Sequence, residues 1–293
     1  MLNQSTFTMV NPQNGNLAFK YLEFEDNSFF DHIQRNNYFS LIWVTNGNGK
    51  LKADFADYDF NENSLFAFSP YQPYMFTTGT TLKGVAIYFH PEFFCIYKHH
   101  KEVSANGLLY NNIYQPPFVA VDESSATTFK ILAEQIKTEM QKPELAQHEL
   151  LVSYLKIFLI NAARLKTQQQ PAAAASVKND NEPFILQKLK DAIEANFKTK
   201  HSPADYAEML YISPKALAKI TKAHFNKTLS SLINERIIIE AKRELYLTNK
   251  TVKEIAWELG YEDEYYFSRF FKVNADVSPQ LYRETVGFAR AMA

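Results

Sequence analysis

Two short rows of polar side chains carry the chemistry that this sequence offers. Lys215, Ala218, Lys219 and Lys222 recur at intervals of three and four, and Glu264, Tyr265, Ser268 and Arg269 follow about fifty residues later. Residues three and four apart share one face of a helix, so each group reads as an outward row. Such rows are suited to hydrogen bonding with nucleic acid. Lysine or arginine can donate to guanine O6 and N7, glutamate can accept from cytosine N4, and a tyrosine ring can touch a thymine methyl. Each lysine taken singly is at least as well suited to a phosphate or to solvent, and Arg269 could instead hold a structural ion pair.

Other chemistry is poorly served. His32 stands alone, and His90, His99 and His100 lack a carboxylate and histidine set at ligand spacing. We therefore expect no metal and no cofactor. No nucleophile–base pair or phosphate loop is present, so no catalysis is expected. The first 118 residues hold 25 of the 43 aromatic side chains, enough to wall a small-molecule pocket or simply to fill a core. Arg35, Tyr38, Trp43, Tyr71 and Tyr74 are the candidate ligand-binding residues, with Arg35 available to pair an acid group.

The second polar row must be positioned by the stretch from Thr251 to Arg283. Thr251 and Glu254 have the spacing of a capping box. Val252, Ile255, Ala256 and Leu259 form one apolar helical face. Gly260 can stop that helix in a left-handed conformation, and Asp263 can cap the next. Phe267, Phe270 and Phe271 would bury one side of it. A helix pair joined by a short turn, with polar residues outward on the second helix, is the shape that enters a DNA major groove.

The order of residues here resembles the carboxyl-terminal signature of the AraC/XylS family of bacterial transcription regulators. The residues that carry it are Ile255, Ala256, Leu259, Gly260, Tyr261, Asp263, Tyr266, Phe267, Ser268, Arg269, Phe271 and Lys272, then Val277, Ser278, Pro279, Tyr282 and Arg283. Where the family usually has glycine after each reading helix, this chain has Asn226 and Asp276. Both types tolerate positive φ better than most.

A second helix-turn-helix precedes the first at an offset of 50, matching Leu217 to Phe267, Lys219 to Arg269, Lys222 to Lys272 and Leu232 to Tyr282. Ser202, Pro203 and Asp205 start its first helix, and Ser213 and Pro214 its second. Residues 229–247 read as a connecting helix, in which Arg236, Ala241 and Leu245 match the family. A rigid connector would set two reading heads in successive major grooves, about 34 Å apart. Ser213, Ser230 and Thr251 are placed to cap helices or touch phosphates.

The amino-terminal half reads as strands 38–45, 64–70 and 82–89, separated by turns at Asn46–Gly49 and Thr78–Thr80. Their layout resembles the cupin-like sensor barrel that often precedes an AraC-type DNA-binding domain. Residues 1–16 could form an arm that closes over a ligand. Pro91 opens a helix-like stretch. Residues 122–142 and 144–166 read as two helices with apolar seams, Phe129, Ala133, Ile136 and Met140 in one and Leu151, Leu155, Phe158, Ala162 and Leu165 in the other. The seams could pack on the barrel or form a homodimer interface.

The expected fold is therefore α+β in two domains. A cupin-like antiparallel barrel (17–118) with a helical hairpin (122–166) makes up residues 1–166, a linker spans 167–183, and an all-α double helix-turn-helix domain spans 184–293. Residues 184–293 hold 17 basic and 14 acidic side chains, against 14 and 18 in residues 1–183. The sign suits DNA at the carboxyl end. One cysteine, Cys95, allows no internal disulfide. No secretory leader or membrane span is expected, so the cytoplasm is the expected location. The resemblance implies a regulator of promoter DNA, responding to a small molecule and activating through RNA polymerase; repression by occlusion is equally compatible. Alternatives are a barrel that only dimerises, or a cupin-type enzyme with a DNA-binding tail.

Overall fold

The computed structural model describes residues 5–54, 56–99, 103, 107–142, 144–169 and 181–287. The chain divides into two compact units, Met1–Asn112 with Pro116–Pro171, and Ile113–Gln115 with Ala172–Ala293.

Among the described residues the first unit is built on nine antiparallel strands: β1 (Thr6–Val10), β2 (Leu17–Phe24), β3 (Phe39–Asn46), β4 (Gly49–Ala53), β5 (Ala56–Phe60), β6 (Ser64–Phe68), β7 (Tyr74–Thr77), β8 (Lys83–Phe89) and β9 (Phe118–Ala120). They form a six-stranded sheet in the order β1-β2-β8-β3-β6-β9 and a three-stranded sheet in the order β5-β4-β7. Among the described residues no ladder joins the two, so the barrel of the sequence reading takes the form of two sheets sharing one core. The Asn46–Gly49 turn does not close a hairpin. It carries the chain from β3, paired with β6 and β8, to β4 in the other sheet.

Two long helices of the described residues cover this unit, α1 (Glu123–Gln141) and α2 (Gln147–Gln168). The large sheet is a middle layer, and strand alternation sorts its side chains. Leu22, Phe24, Ile42, Val44, Phe66 and Phe68 meet Leu51, Phe60, Tyr74 and Phe76 of the small sheet. Phe19, Tyr21, Phe39, Leu41, Trp43, Ile87 and Phe89 meet α1 and α2. Coverage on both faces explains why β3 is apolar almost throughout, without alternation.

The helix seams belong to that second core. Phe129, Ala133, Ile136 and Met140, together with Leu151, Leu155, Phe158, Ala162 and Leu165, are all buried within the unit. They are therefore not the surface that could meet a second copy; Ile131, Leu150 and Ile157 are the exposed large apolar residues of these helices. The stretch after Pro91 is a series of turns through residue 99, not a helix. Phe93, Phe94 and Ile96 are all buried there, and near-consecutive anchors pin the chain more tightly than one helical face would. His99 stacks on Phe94 at 4.8 Å, while His100 lies outside the described residues. So does most of the expected linker, residues 170–180.

The second unit is helical: α3 (Asn181–Asn196), α4 (Pro203–Met209), α5 (Pro214–Phe225), α6 (Leu229–Leu247), α7 (Val252–Glu258), α8 (Glu264–Ala275) and α9 (Pro279–Val286). Its core gathers Leu189, Ile193, Leu217, Leu232, Ile233, Ile237, Ala241, Leu245, Ile255, Ala256, Phe267 and Phe271, each essentially inaccessible. No described helix is long and apolar enough to cross a membrane.

Candidate nucleic-acid interface and sensor core

Local chemistry defines both helical hairpins. Ser202 and Asp205 form a capping box at α4, as do Thr251 and Glu254 at α7. In the second box the Glu254 N–H donates to Thr251 Oγ1 at 3.1 Å, and the Thr251 N–H donates to Glu254 at 2.7 Å. Ser213 caps α5, and Asp263 caps α8 by accepting from the Tyr265 and Tyr266 N–H groups. Such caps each stabilise a helix by about 1 kcal/mol. Asn226 and Asp276 end α5 and α8 in the left-handed region, at φ +55° and +61°.

The turns between the paired helices differ. Gly260 adopts φ +79° after α7, while Tyr211 holds the same place after α4 at φ +54°. A Cβ on Gly260 would collide with the Lys198 carbonyl oxygen and lie 3.3 Å from His201 Cε1. Tyr211 is 97% exposed and meets no such wall. The second turn is also one residue longer, so α7 repeats α4 at an offset of 49 and α8 repeats α5 at 50.

On α5, Lys215, Ala218, Lys219 and Lys222 are all exposed. Lys222 donates to the Asn226 carbonyl at 3.0 Å and so also closes its own helix. On α8, Tyr265 and Arg269 are exposed and Glu264 and Ser268 half-exposed, while Phe267 and Phe271 turn inward. Among the described residues Arg269 makes no ion pair or hydrogen bond. Its guanidinium is thus available to an external acceptor, and a fork of donors matches guanine O6 and N7. Ser213 and Thr251 are caps; α6 is capped by Thr228, not Ser230, which stays exposed.

The connector α6 is held by charge at both ends. Arg236 stacks on Phe197 at 3.9 Å and pairs with Glu194 at 2.8 Å and Glu240 at 3.1 Å. Arg243 bridges Glu240 and Glu244, and Lys250 bridges Glu244 and Glu258. Burial acts to raise the Glu240 carboxyl, but Arg243 and Arg236 outweigh it and hold the group below its ordinary range. Arg283 donates to the Leu245 carbonyl at 3.1 Å and to the Lys250 carbonyl, satisfying acceptors that the end of α6 would leave open. Lys227, just past α5, pairs with Glu235 at 2.7 Å, both nearly inaccessible. Each head is therefore fastened to α6 by bonds as well as by packing. The sequence marks Arg236 and Arg283 but neither the acids that partner Arg236 nor the carbonyls that accept from Arg283.

In the first unit the five ligand candidates separate. Tyr74 is buried in the inter-sheet core, stacked on Phe68 at 3.9 Å, and Tyr38 lies beside it, packed edge-on against Tyr88 at 5.2 Å. Burial pushes the Tyr38 phenol up to about 12 and also raises Tyr74 and Tyr88. The Tyr74 hydroxyl is fully buried and makes no hydrogen bond of good geometry, although Ser40, Asn36 and Tyr88 lie within hydrogen-bonding reach of it. A lone buried hydroxyl calls for a water or a ligand. Arg35 is exposed and Tyr71 half-exposed on neighbouring segments, bridged where the Tyr71 N–H donates to the Asn36 carbonyl at 2.7 Å. Trp43 is on the opposite face of the sheet, edge-on to Phe129. Tyr88 and Ser40 join this cluster without having been singled out, because only the pairing of β3 with β8 sets them opposite one another. No group of three or more histidine, cysteine or acidic side chains among the described residues is arranged to hold a metal.

Residues 206–285 match the helix-turn-helix domain family. The chain is 23% identical over 284 residues to the uncharacterized HTH-type transcriptional regulator YfiF of Bacillus subtilis, covering 89% of this chain and 85% of YfiF. It is 20% identical over 268 residues to the HTH-type transcriptional activator RhaR of Cronobacter sakazakii, covering 90% of each. Among solved structures, the carboxyl-terminal domain of the response regulator AraT from Geobacillus stearothermophilus is 27% identical, covering 37% of this chain and 90% of that one, with a TM-score of 0.35.

Proposed function

From a carboxyl-terminal unit that is a helix-turn-helix domain of the AraC/XylS type, in a chain related to transcriptional regulators, we propose that this protein reads specific promoter sequences with two heads and regulates transcription there. The observation that carries the reading is the repeated outward row. α5 and α8 each follow a capped helix and a left-handed turn, and each presents lysine or arginine to the outside. Glu264, Tyr265, Ser268 and Arg269 read base edges in the second head, and Lys215, Ala218, Lys219 and Lys222 engage the first half-site through bases or phosphates. The protein acts as an activator through RNA polymerase, as its relationship to named activators suggests. It works where the chromosome is, in the cytoplasm, and binds rather than catalyses.

The first unit acts as a sensor of a small molecule. The unpartnered Tyr74 hydroxyl among Tyr38, Tyr88 and Ser40 supports a polar end to an otherwise apolar core. A second reading, a unit that only dimerises, is favoured by the exposed Ile131 and Ile157 on α1 and α2.

The test is a nuclease footprint of the purified protein upstream of its own gene, at rising salt and with Arg269→Ala. Two protected blocks about one helical turn apart, relaxed in sequence by the substitution, support the two-head reading. Diffuse protection that disappears at modest salt and ignores the substitution overturns the role of Arg269. Sedimentation of the full chain and of Ile131→Lys with Ile157→Lys separates a dimerising unit from a monomeric sensor.

A further inference from the structure

A cavity of about 270 Å³ opens on the outer side of the first unit. It is lined by the β1–β2 hairpin (Met9–Gln13, Leu17 and Ala18), the turn after β8 (His90, Glu92 and Phe93) and His148 in the first turn of α2. It is separate from the aromatic core between the sheets, in which Tyr38 and Tyr74 lie. Nothing in the sequence suggested it, because its walls come from three segments more than fifty residues apart.

We propose that this cavity binds a small organic cation, a primary amine on a short apolar body. The lining has one carboxylate, two imidazoles and no lysine or arginine. An anion would face Glu92 with nothing to offset the repulsion. The carboxylate is held in place: Glu92 Oε2 accepts from the side-chain amides of Asn11 at 3.4 Å and Asn14 at 3.2 Å. Those amides are fixed in turn, since Asn11 Oδ1 accepts from the Gln13 N–H and Asn14 Oδ1 from the Asn16 N–H. Among the described residues Glu92 Oε1 accepts no hydrogen bond, which leaves one charged acceptor for an ammonium. His90, almost fully buried, sets its Nδ1 3.3 Å from the Glu92 backbone nitrogen and 3.6 Å from Glu92 Oε2, so it backs the oxygen that Asn11 and Asn14 already hold and leaves Oε1 clear.

The remaining wall is apolar. Met9, Val10, Leu17, Ala18 and Phe93 can cover hydrocarbon, and Phe93 is set rigidly by packing on Phe19 at 5.0 Å and under the His148 ring at 4.7 Å. A charged acceptor beside an apolar wall suits one cationic group and one hydrocarbon group better than a polyol, which needs polar partners all round. The volume is just below the roughly 300–1,000 Å³ usual for ligand pockets, so the ligand must be small. As a binding site the cavity stands on this geometry alone; as an effector site it rests on the sensing reading above.

The test is calorimetric titration of the full-length protein with cyclohexylamine and phenethylamine, against cyclohexanol and cyclohexanecarboxylate as matched neutral and anionic probes. The amines are expected to bind saturably, at least about tenfold more tightly than either control. Glu92→Gln keeps the shape and removes the charge, and Gln13→Lys adds a cation at an exposed rim position. Each is expected to weaken amine binding by about tenfold or more with the melting temperature of the free protein unchanged. Failure of both amines to bind below about 10 mM, equal binding of the alcohol or the carboxylate, or undiminished binding to Glu92→Gln overturns the proposal. The footprint is then repeated with bound amine. Binding that leaves the footprint unchanged upholds the site and counts against sensing, whereas a footprint altered by some other class of molecule upholds sensing at another site.

Discussion

Replacing Gly260 with alanine should unfasten the second reading head. Two costs combine. At φ +79° an L-residue meets its own carbonyl, a strain of about 1–2 kcal/mol. The new Cβ also overlaps the Lys198 carbonyl oxygen, and forcing a group into a packed site costs about 1–3 kcal/mol. Against these, alanine restricts the unfolded chain and recovers about 0.4–1 kcal/mol. The net loss is about 1–4.5 kcal/mol, close to 3 at the middle of these ranges. Gly15→Ala isolates the first cost, because Gly15 has φ +71° with nothing within 4 Å of an added Cβ; it should lose no more than about 1.5 kcal/mol. Tyr211→Gly, at the matching turn of the first head, should be neutral or stabilise by up to about 1 kcal/mol, since it relieves the strain of a left-handed tyrosine. Hydrogen exchange of the full-length chain reads all three. A loss of about 2 kcal/mol appears as roughly thirtyfold faster exchange of the protected amides of α6 and α7. The footprint should at the same time lose the block belonging to the second head. If Gly260→Ala exchanges within about threefold of wild type, or if Gly15→Ala costs as much within its own unit, the argument from close approach fails.

Four further outcomes follow from named contacts. Arg269→Ala should cost about 1–3 kcal/mol on the cognate site and relax the preference at one base pair, whereas Lys219→Ala, if it contacts phosphate, should weaken all sequences alike and reduce the salt slope by about one; both are read by titration on randomised sites. Breaking the buried Lys227–Glu235 pair with Glu235→Gln alone should destabilise by about 3 kcal/mol, and adding Lys227→Met should recover part of it, giving a clear coupling in a double-mutant cycle. Lys166, nearly inaccessible and donating to the Pro116 carbonyl at 2.7 Å, has its ammonium lowered by burial to about 8 from 10.5. Its folded pKa lies below its unfolded one, so the unfolded chain holds more protons across that interval, and the first unit should gain about 3 kcal/mol between pH 8 and 10.5, a rise absent from Lys166→Met in denaturant melts. Glu240 has the opposite sense. Its depressed carboxyl contributes stability above the ordinary carboxylate range that is lost as pH falls through the folded pKa, so melts of Glu240→Gln should respond less to acid than those of wild type.

Much of the second unit was legible without coordinates because its determinants are local. A capping box needs two side chains three residues apart, as at Thr251 and Glu254, and a helix stop needs one residue that accepts positive φ, as at Asn226, Asp276 and Gly260. The helix at 229–247 was read to its ends, since its apolar period and flanking caps lie in one segment. The outward rows followed from the same periodicity, so no residue expected to face DNA is buried. Even there a local rule met a limit: nothing in the sequence tells that Tyr211 takes the conformation that Gly260 takes, because its single left-handed residue is held by the helices on either side.

The first unit shows what local rules leave undecided. Strand positions came from β-branched and aromatic runs, but pairing is a choice among distant partners. The Asn46–Gly49 turn has hairpin chemistry and yet passes the chain between sheets. The seams of α1 and α2 had two possible partners, and the sheet took them, because a sheet with an uncovered apolar face must be covered by something within reach. The same register put Trp43 and Tyr74 on opposite sides of one layer and brought Tyr88 and Ser40 to face each other. Residue types and spacing thus determined the helices, their caps and the two outward rows of side chains. Tertiary structure alone decided which aromatic residues share a core, which acids hold the connector, and that Asn11, His90, Glu92 and His148 enclose a cavity, since each depends on chain segments meeting across distances over which sequence carries no period.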